Sequence, residues 1–196
     1  MCSVRVLIEG TYLRITSAYA PSKQHAQRPR FFSAKLAPHI TRRTVLMIDA
    51  NCVPDPSRDL ERDAATPYDN AGAPELMDLM LQKDLLDAAR ETLGDTPHYT
   101  SHHNTSAGIT KTRIDQAYTP RVNGMVWTYS TLHHFMPPPV DSETPIDHVA
   151  IQVDLQLPKY ERGHDVQRIS EAIYARPTHN ARIASIIRKH YTPPAL

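Results

Sequence analysis

The chain has 196 residues, and its 40% of hydrophobic and 22% of charged residues are typical of a globular protein, which excludes a disordered or fibrous chain. Its 22 basic and 21 acidic residues leave a formal charge of +1, which excludes a strongly basic protein that holds nucleic acid by charge alone. No apolar run approaches the ~18–20 residues that span a bilayer, no signal peptide is recognisable, and two cysteines are too few for a disulfide framework or a Cys-based zinc site. We therefore expect an intracellular protein with no membrane as partner.

Alternating and apolar runs predict the elements of the first half of the chain. In order, they are a hairpin at 4–16, a helix around 31–38, a strand at 44–48, a polar loop at 54–70 and a helix at 73–93. Gly10 separates the two strands of the hairpin, and Gly94 ends the last helix. A break of that helix near Asp84 is an open alternative, because Leu85 could begin a second element.

The second half of the chain is predicted to contain strands and then helices. Strands are expected at 98–102, 111–118, 124–135 and 148–157, and helices at 166–176 and 179–190. The strand at 148–157 alternates apolar and polar residues, which is typical of a strand with one buried face. Since the pattern changes beyond Pro158, we predict a first domain at 1–158 and a helical C-terminal extension at 159–196.

Two aspartates occupy positions that require an explanation. Asp49 follows directly on the apolar strand, and a carboxylate at a strand end is a common catalytic position because ligands gather there. The alternative is an Asx-turn that merely ends the strand. Asp115 lies within a predicted strand, where Asp is disfavoured. Its alternative explanation is an exposed edge position paired with Arg113 or Lys111.

An acidic residue and an imidazole stand side by side at Asp147 and His148. Metal-assisted phosphoryl chemistry uses this combination, since a carboxylate approaches the metal and an imidazole donates to a phosphate oxygen. The dipeptide is also frequent by chance. The adjacent pairs His102–His103 and His133–His134 do not predict a zinc site, because neighbours in a strand point to opposite faces.

The segment from Lys23 to Arg43 is basic along its whole length. Such a segment could follow the phosphate backbone of a nucleic acid. It could equally form a solvated surface with no ligand, and the residues alone leave both explanations open.

Six short blocks follow one another in an order that is similar to the endonuclease/exonuclease/phosphatase superfamily. They are Ser17–Pro21, Leu46–Asn51, Leu86–Arg90, Tyr99–Thr100, Arg113–Asp115 and Asp147–His148. That superfamily includes abasic-site endonucleases, pancreatic-type DNases and the endonuclease domains of non-LTR retrotransposons, and the resemblance is nearest to the last. It covers roughly 4–157, so the domain at 1–158 would be a partial domain of this kind.

The resemblance implies a fold and an activity. The implied fold is α+β, a two-sheet β-sandwich flanked by helices in the four-layer, DNase-like arrangement, incomplete at the N-terminus. The implied activity is a hydrolase that cleaves a phosphodiester with an activated water and Mg²⁺ (or Mn²⁺). The implied partner is nucleic acid, with DNA as the expected substrate of a retroelement-derived endonuclease.

The resemblance also implies catalytic roles for three residues near the first blocks. Asp49 would orient or deprotonate the attacking water. Asn51 would hold a phosphate oxygen, and Tyr19 would contact the same phosphate.

Three further roles follow for the last two blocks. Asp147 would lie near the metal, and His148 would stabilise the charge that develops on the phosphorus oxygens. Asp115 would orient the imidazole of His148. This division agrees with general chemistry, because a hard cation prefers oxygen ligands and a neighbouring carboxylate fixes the orientation of an imidazole.

The chain departs from the family pattern at several positions. Ile48 stands where the family usually has Gly, and Ile146 where it usually has Ser. The Asn of the family's first strand and its metal-binding Glu have no counterpart, and Glu9 lies in a different context. The alternative function is therefore a non-catalytic, truncated remnant with at most weak nucleic-acid binding.

The missing blocks lead to two expectations. The strand at 148–157 should keep an unpaired edge, which promotes self-association. The 196-residue chain alone should not nick plasmid DNA with Mg²⁺, because that ion needs well-placed oxygens before it gives up its waters. A preceding segment with the Asn and Glu blocks should improve both solubility and cleavage.

Overall fold

The computed structural model describes residues 1–8, 10–62, 67–105, 108–122, 125–132 and 147–156. These residues lie within a compact unit that spans Met1–Lys159. The predicted helices at 166–176 and 179–190 lie outside the described residues, so the C-terminal extension stays a prediction. No helix among the described residues is long and apolar enough to cross a membrane.

Ten strands occur in the described ranges. They are β1 (Cys2–Ile8), β2 (Thr11–Tyr19), β3 (Thr44–Asp49), β4 (Leu60–Arg62), β5 (Leu85–Asp87), β6 (Ser101–Thr105), β7 (Gly108–Thr112), β8 (Asp115–Pro120), β9 (Val126–Leu132) and β10 (Ala150–Gln156). The hairpin is confirmed as β1 and β2, and Gly10 makes its turn at a φ of 76°, a conformation that favours glycine. The apolar strand at 44–48 is confirmed as β3, and the alternating strand as β10.

The strands form one large and two small sheets. The main sheet has the order β1-β2-β3-β8-β5, in which β2 and β3 are parallel and the other neighbours are antiparallel. The other sheets have the orders β10-β9 and β4-β7-β6. Since β2 and β3 run in the same direction, their carboxyl ends meet at one edge of the main sheet.

The helices are short, and one predicted helix is interrupted. They are α1 (Arg28–Arg30), a π-helical turn (Phe31–Leu36), α2 (Pro56–Asp59), α3 (Ala73–Lys83) and α4 (Ala88–Leu93). A single helix over 73–93 is therefore wrong, and the alternative of a break near Asp84 is confirmed. Asp84 adopts the left-handed conformation that ends α3, and Asp87 accepts hydrogen bonds from the amides of Ala89 and Arg90, which begins α4.

The predicted polar loop at 54–70 also contains regular structure. Asp55 accepts a hydrogen bond from the amide of Ser57, and Pro56 occupies the first helical position of α2. These capping signals are short and local, so the periodicity of apolar residues did not reveal them. The strand β4 follows directly on α2.

The two faces of the main sheet carry different layers. One face packs against the π-helical turn and α3 through a core that includes Phe32, Leu36, Ile48, Leu76 and Tyr118. The other face packs against the β9–β10 sheet and α4 through Met47, Ala117, Trp127, Tyr129 and Ile151. The α+β class, with two facing sheets flanked by helices, is therefore confirmed.

Candidate active site

Three polar residues form a row across the main sheet. Tyr19 pairs with Asp49 across β2 and β3, and Asp49 pairs with Asp115 across β3 and β8. Paired residues on neighbouring strands point to the same face of a sheet. The row therefore lies at the edge where β2 and β3 end, and it joins residues nearly a hundred positions apart in the sequence.

The turn after β3 fixes the carboxylate of Asp49. Its Oδ1 accepts a hydrogen bond from the amide of Asn51 at 3.0 Å, and Asn51 adopts a left-handed conformation with a φ of 50°. The Nδ2 of Asn51 donates to the carbonyl of Ala20 at 3.0 Å, which ties the ends of β2 and β3 together. The Asx-turn is thus present, and the same carboxylate also belongs to the row.

Asp115 pairs with His148 rather than with the neighbouring Arg113 or Lys111. Its Oδ2 lies 2.8 Å from the Nδ1 of His148, which approaches from the segment before β10. Arg113 is fully buried elsewhere, and the Nζ of Lys111 lies 2.6 Å from the Oε1 of Glu61. The alternative explanation of Asp115, an exposed edge position paired with Arg113 or Lys111, is therefore wrong.

A buried threonine joins the two halves of this pair. The hydroxyl of Thr100 accepts a hydrogen bond from the amide of Asp115 at 3.0 Å, and its carbonyl accepts one from the amide of Val149 at 2.7 Å. The amide of His102 donates to the carbonyl of Asp147 at 2.8 Å. The sequence marked Thr100 only as part of a block, because no local pattern shows which strand its hydroxyl meets.

A buried ion network holds the start of β8 in place. Arg113 Nε lies 2.8 Å from Asp59 Oδ1, and its Nη2 lies 2.7 Å from Asp87 Oδ2. The Nη2 of Arg90 adds a contact of 2.9 Å to Asp59. Arg113 and Asp59 are fully buried. This network was not predicted from the sequence, in which the one available signal was an Arg in a strand-like stretch two residues before Asp115.

The charges of the cluster shift two pKa values. The hydrogen bond to Asp115 raises the pKa of His148 to about 9, against burial that lowers it, and the charges of Asp115, Asp49 and Asp147 add to the rise. Burial raises the pKa of Asp49, and the nearby charge of Asp115 raises it further. His148 therefore carries a proton at neutral pH, and Asp49 is a stronger base than an exposed aspartate.

The cluster has the composition of a cation site. Single ligand atoms of Asp49, Asp115 and His148 lie within 4.8 Å of one another. Asp147 stands next to them, with its Oδ1 4.0 Å from the Nε2 of His148. Since His148 is protonated and its Nδ1 faces Asp115, the groups that fit a hard divalent cation here are the carboxylates.

The row opens into a cavity of about 500 Å³, which also involves Ser17, Met47 and Ile151. Tyr19 lines it and is 60% exposed. The structure thus brings Asp49, Asp115 and His148 into one cluster, with Asp147 beside it and Tyr19 at its margin. The side chain of Asn51 is turned towards the backbone of β2.

Comparisons with known proteins find a likeness in structure. Neither a family model nor a curated protein matches the chain. Solved structures do match, among them the endonuclease domain of TRAS1, a telomere-specific non-LTR retrotransposon, with a TM-score of 0.51 and 12% identity. The chain shares the fold of that endonuclease domain. The match covers 79% of this chain and 62% of the other, so this chain spans less than two thirds of the length of the endonuclease domain.

Proposed function

We propose that the cluster of Asp49, Asp115 and His148 hydrolyses a phosphodiester bond of nucleic acid, with DNA as the expected substrate and Mg²⁺ (or Mn²⁺) as the cofactor. The observation that carries the proposal is the 2.8 Å contact between Asp115 and His148 directly beside the carboxylate of Asp49. This reaction needs a base that acts on the water and an oriented positive group that stabilises the developing negative charge, and the cluster offers both. The likeness in fold to an endonuclease domain supports the same proposal.

In this proposal Asp49 acts on the attacking water. Its carboxylate accepts the proton of the water while the water oxygen bonds to phosphorus. The ester bond from phosphorus to the leaving oxygen of the strand breaks in the same reaction, and that oxygen takes up a proton from solvent. The raised pKa of Asp49 increases its strength as a base, and the hydrogen bond from Asn51 holds one oxygen in place. Asp49 lines the cavity, in which the water would bind.

His148 supplies positive charge to the phosphoryl oxygens. Its Nδ1 is engaged by Asp115, so the Nε2–H is the donor that faces a substrate. A fixed imidazolium stabilises the negative charge that grows in the transition state, and the carboxylate of Asp115 keeps its ring oriented. Asp115 is a positioning residue in this scheme.

Tyr19 and Asn51 would contact the same phosphate. The phenol of Tyr19 stands at the margin of the cavity and can donate a hydrogen bond. The amide of Asn51 uses one N–H for Ala20, and its second N–H is available for a phosphate oxygen.

Asp147 would hold the metal, together with oxygens of the substrate and water. Mg²⁺ is commonly bound by one or two carboxylates plus phosphate oxygens, and the carboxylates beside His148 fit that requirement. When bound, the ion supplies positive charge that polarises the phosphoryl oxygens.

A second candidate function is that of a non-catalytic remnant which binds nucleic acid weakly. The observation that favours it is the position of Asp147, which is about half exposed and stands outside the group of ligand atoms found in the described ranges. A metal held by one exposed carboxylate is bound weakly.

Nicking of supercoiled plasmid DNA in Mg²⁺ tests the proposal. The protein is assayed alone and as an extended chain, a chimera in which a segment with the family's Asn and Glu blocks precedes Met1. We expect the extended chain to nick, and Asp49→Ala or His148→Ala to slow it on the order of 10²–10⁴-fold. Asp154→Asn, at an exposed carboxylate on β10, is the matched control and should leave the rate unchanged. A folded extended chain that binds DNA without nicking it favours the remnant.

A further inference from the structure

A second cavity, of about 340 Å³, lies beside the end of β2. It is lined by Pro21, Gln27, Arg30, Phe31 and Lys35. Arg30 belongs to α1, and Phe31 and Lys35 belong to the π-helical turn. Single π-helical turns occur often at functional sites. The proposed hydrolysis uses none of them.

The charged residues of the segment that forms most of this cavity are all basic. The segment 23–43 contains six Lys or Arg residues and no Asp or Glu. Arg28 is buried and donates to the carbonyls of Pro21 and Ser22, so its charge serves the fold. Arg30 and Lys35 are exposed, and neither forms an ion pair within the part of the chain that the structure describes. Two cations therefore face solvent at a cavity with a neutral polar side chain, Gln27.

The cavity lies close to the candidate active site. Tyr19 lines the cavity of the active site, and Pro21, which lines this one, follows Tyr19 by two residues just beyond the end of β2. A nucleic acid strand carries one phosphate for about every 3.4 Å of helix axis. His148 lies at the far end of the row, beyond Asp115 and two strand spacings or about 10 Å from Tyr19, so a strand whose phosphate lies at His148 would bring another phosphate to this cavity within several nucleotides.

We propose that this cavity binds a phosphate of the nucleic acid strand several nucleotides from the bond that is cleaved; the inference rests on the proposed function. Arg30 and Lys35 neutralise the phosphate, and the amide of Gln27 donates to one of its oxygens. The half-buried ring of Phe31 forms an apolar wall. The basic segment of the sequence is thus a binding surface, not merely a solvated one.

The test measures binding of a fluorescein-labelled DNA duplex by anisotropy in EDTA, at several KCl concentrations, with the full chain. The test variant is Arg30→Gln/Lys35→Gln. The control is Arg42→Gln/Arg43→Gln, which removes the same charge from exposed residues just before β3. These lie at the opposite end of β3 from Asp49, about 20 Å away along the strand. Circular dichroism verifies that both variants fold.

We expect the test variant to bind on the order of tenfold more weakly, and its slope of log K against log [KCl] to fall by about 2. The control should keep the affinity and slope of the parent chain. Equal losses in both variants, an unchanged test variant, or a parent chain that does not bind the duplex would each overturn the inference. Because binding in EDTA requires no chemistry, a difference between the variants together with a failed nicking assay would end the proposed hydrolysis alone.

Discussion

The groups around His148 determine its charge at neutral pH. The pKa of His148 is raised to about 9 by the hydrogen bond to Asp115 and by the carboxylates of Asp49 and Asp147. We expect an NMR titration of its ring to give a value clearly above 6.5, and Asp115→Asn to move the value back towards 6.5. A pKa of His148 below 6.5 in the parent chain would contradict the pairing.

The same shift makes stability depend on pH. Since the pKa of His148 is higher in the folded chain than its ordinary value of 6.5, the folded state binds the proton more tightly between pH 6.5 and about 9. The stability that the pair contributes is complete below pH 6.5 and is lost as the pH rises through about 9. Urea unfolding across this window should show a smaller decline for Asp115→Asn, and an equal decline would argue against the linkage.

Thr100 is expected to matter more than its size suggests. Thr100→Val leaves the buried amide of Asp115 without its acceptor, so the free energy of unfolding should fall by about 1–3 kcal/mol. Thr119→Val is the matched control, because the hydroxyl of Thr119 is buried without a hydrogen-bond partner among the described residues. Urea unfolding of both variants, with Thr100→Ser as rescue, compares them. Similar stabilities for the two Val variants would argue against the role of Thr100.

The residues of the cluster were predictable only as members of ordered blocks. Asp49 and Asp115 stood out locally, since each was a carboxylate at a strand position that needed a reason. The hydroxyl of Thr100 and the buried partners of Arg113 gave no such signal, because their meaning depends on contacts between distant segments. The sequence alone presented an Asx-turn and a functional role as alternatives for Asp49. In the structure, the carboxylate of Asp49 belongs both to the turn and to the candidate site.

Among the elements, β8 depends on a buried network of charges at its start. Arg113→Met leaves Asp87 without its cation and Asp59 with Arg90 alone, which should lower the free energy of unfolding by about 3–5 kcal/mol. Arg58→Met is the matched control: Arg58 pairs with Asp55 and Asp95 at a partly exposed position, so its loss should have little effect. Thermal and urea unfolding measure both. A similar small effect for Arg113→Met would show that the network adds nothing to the stability of the fold.

The strand β1 presents apolar side chains at an edge. Within the described residues it pairs with β2 alone, and Val4 and Leu7 are more than half exposed. We expect the chain to associate with itself through this edge, and Val4→Lys to reduce the association seen by sedimentation velocity. Leu81→Lys, at an apolar residue of α3 that is 80% exposed, tests whether any added charge suffices. If Leu81→Lys dissociates the chain equally well, the edge is not the contact.

The strand β10 corresponds to the predicted strand at 148–157, for which an unpaired edge was expected. In the part of the chain that the structure describes, it pairs with β9 on one side, and the segment before it meets Thr100 and His102. The alternating pattern of β10 was predictable from the sequence because one face of the strand packs on Met47 and Ala117. The sequence offered the break of the helix at 73–93 only as an alternative, and the structure places β5 between α3 and α4.

At the scale of the whole molecule, the two-sheet arrangement was predictable only from the resemblance. Alternating strands indicated that sheets were present, but the order β1-β2-β3-β8-β5 depends on pairings between segments far apart in sequence. That order is what aligns Tyr19, Asp49 and Asp115. The likeness to a retrotransposon endonuclease domain agrees with the same arrangement and leaves the reaction to be tested.

The central claim is that Asp115 and His148 act as one unit in the hydrolysis of a phosphodiester. A double-mutant cycle on plasmid nicking by the extended chain tests it most directly, with Asp115→Asn, His148→Ala and the double variant. If Asp115 acts through His148, Asp115→Asn slows nicking about 10–100-fold, and the double variant is no slower than His148→Ala alone. Losses that multiply in the double variant, or a rate that neither substitution changes, would contradict the account.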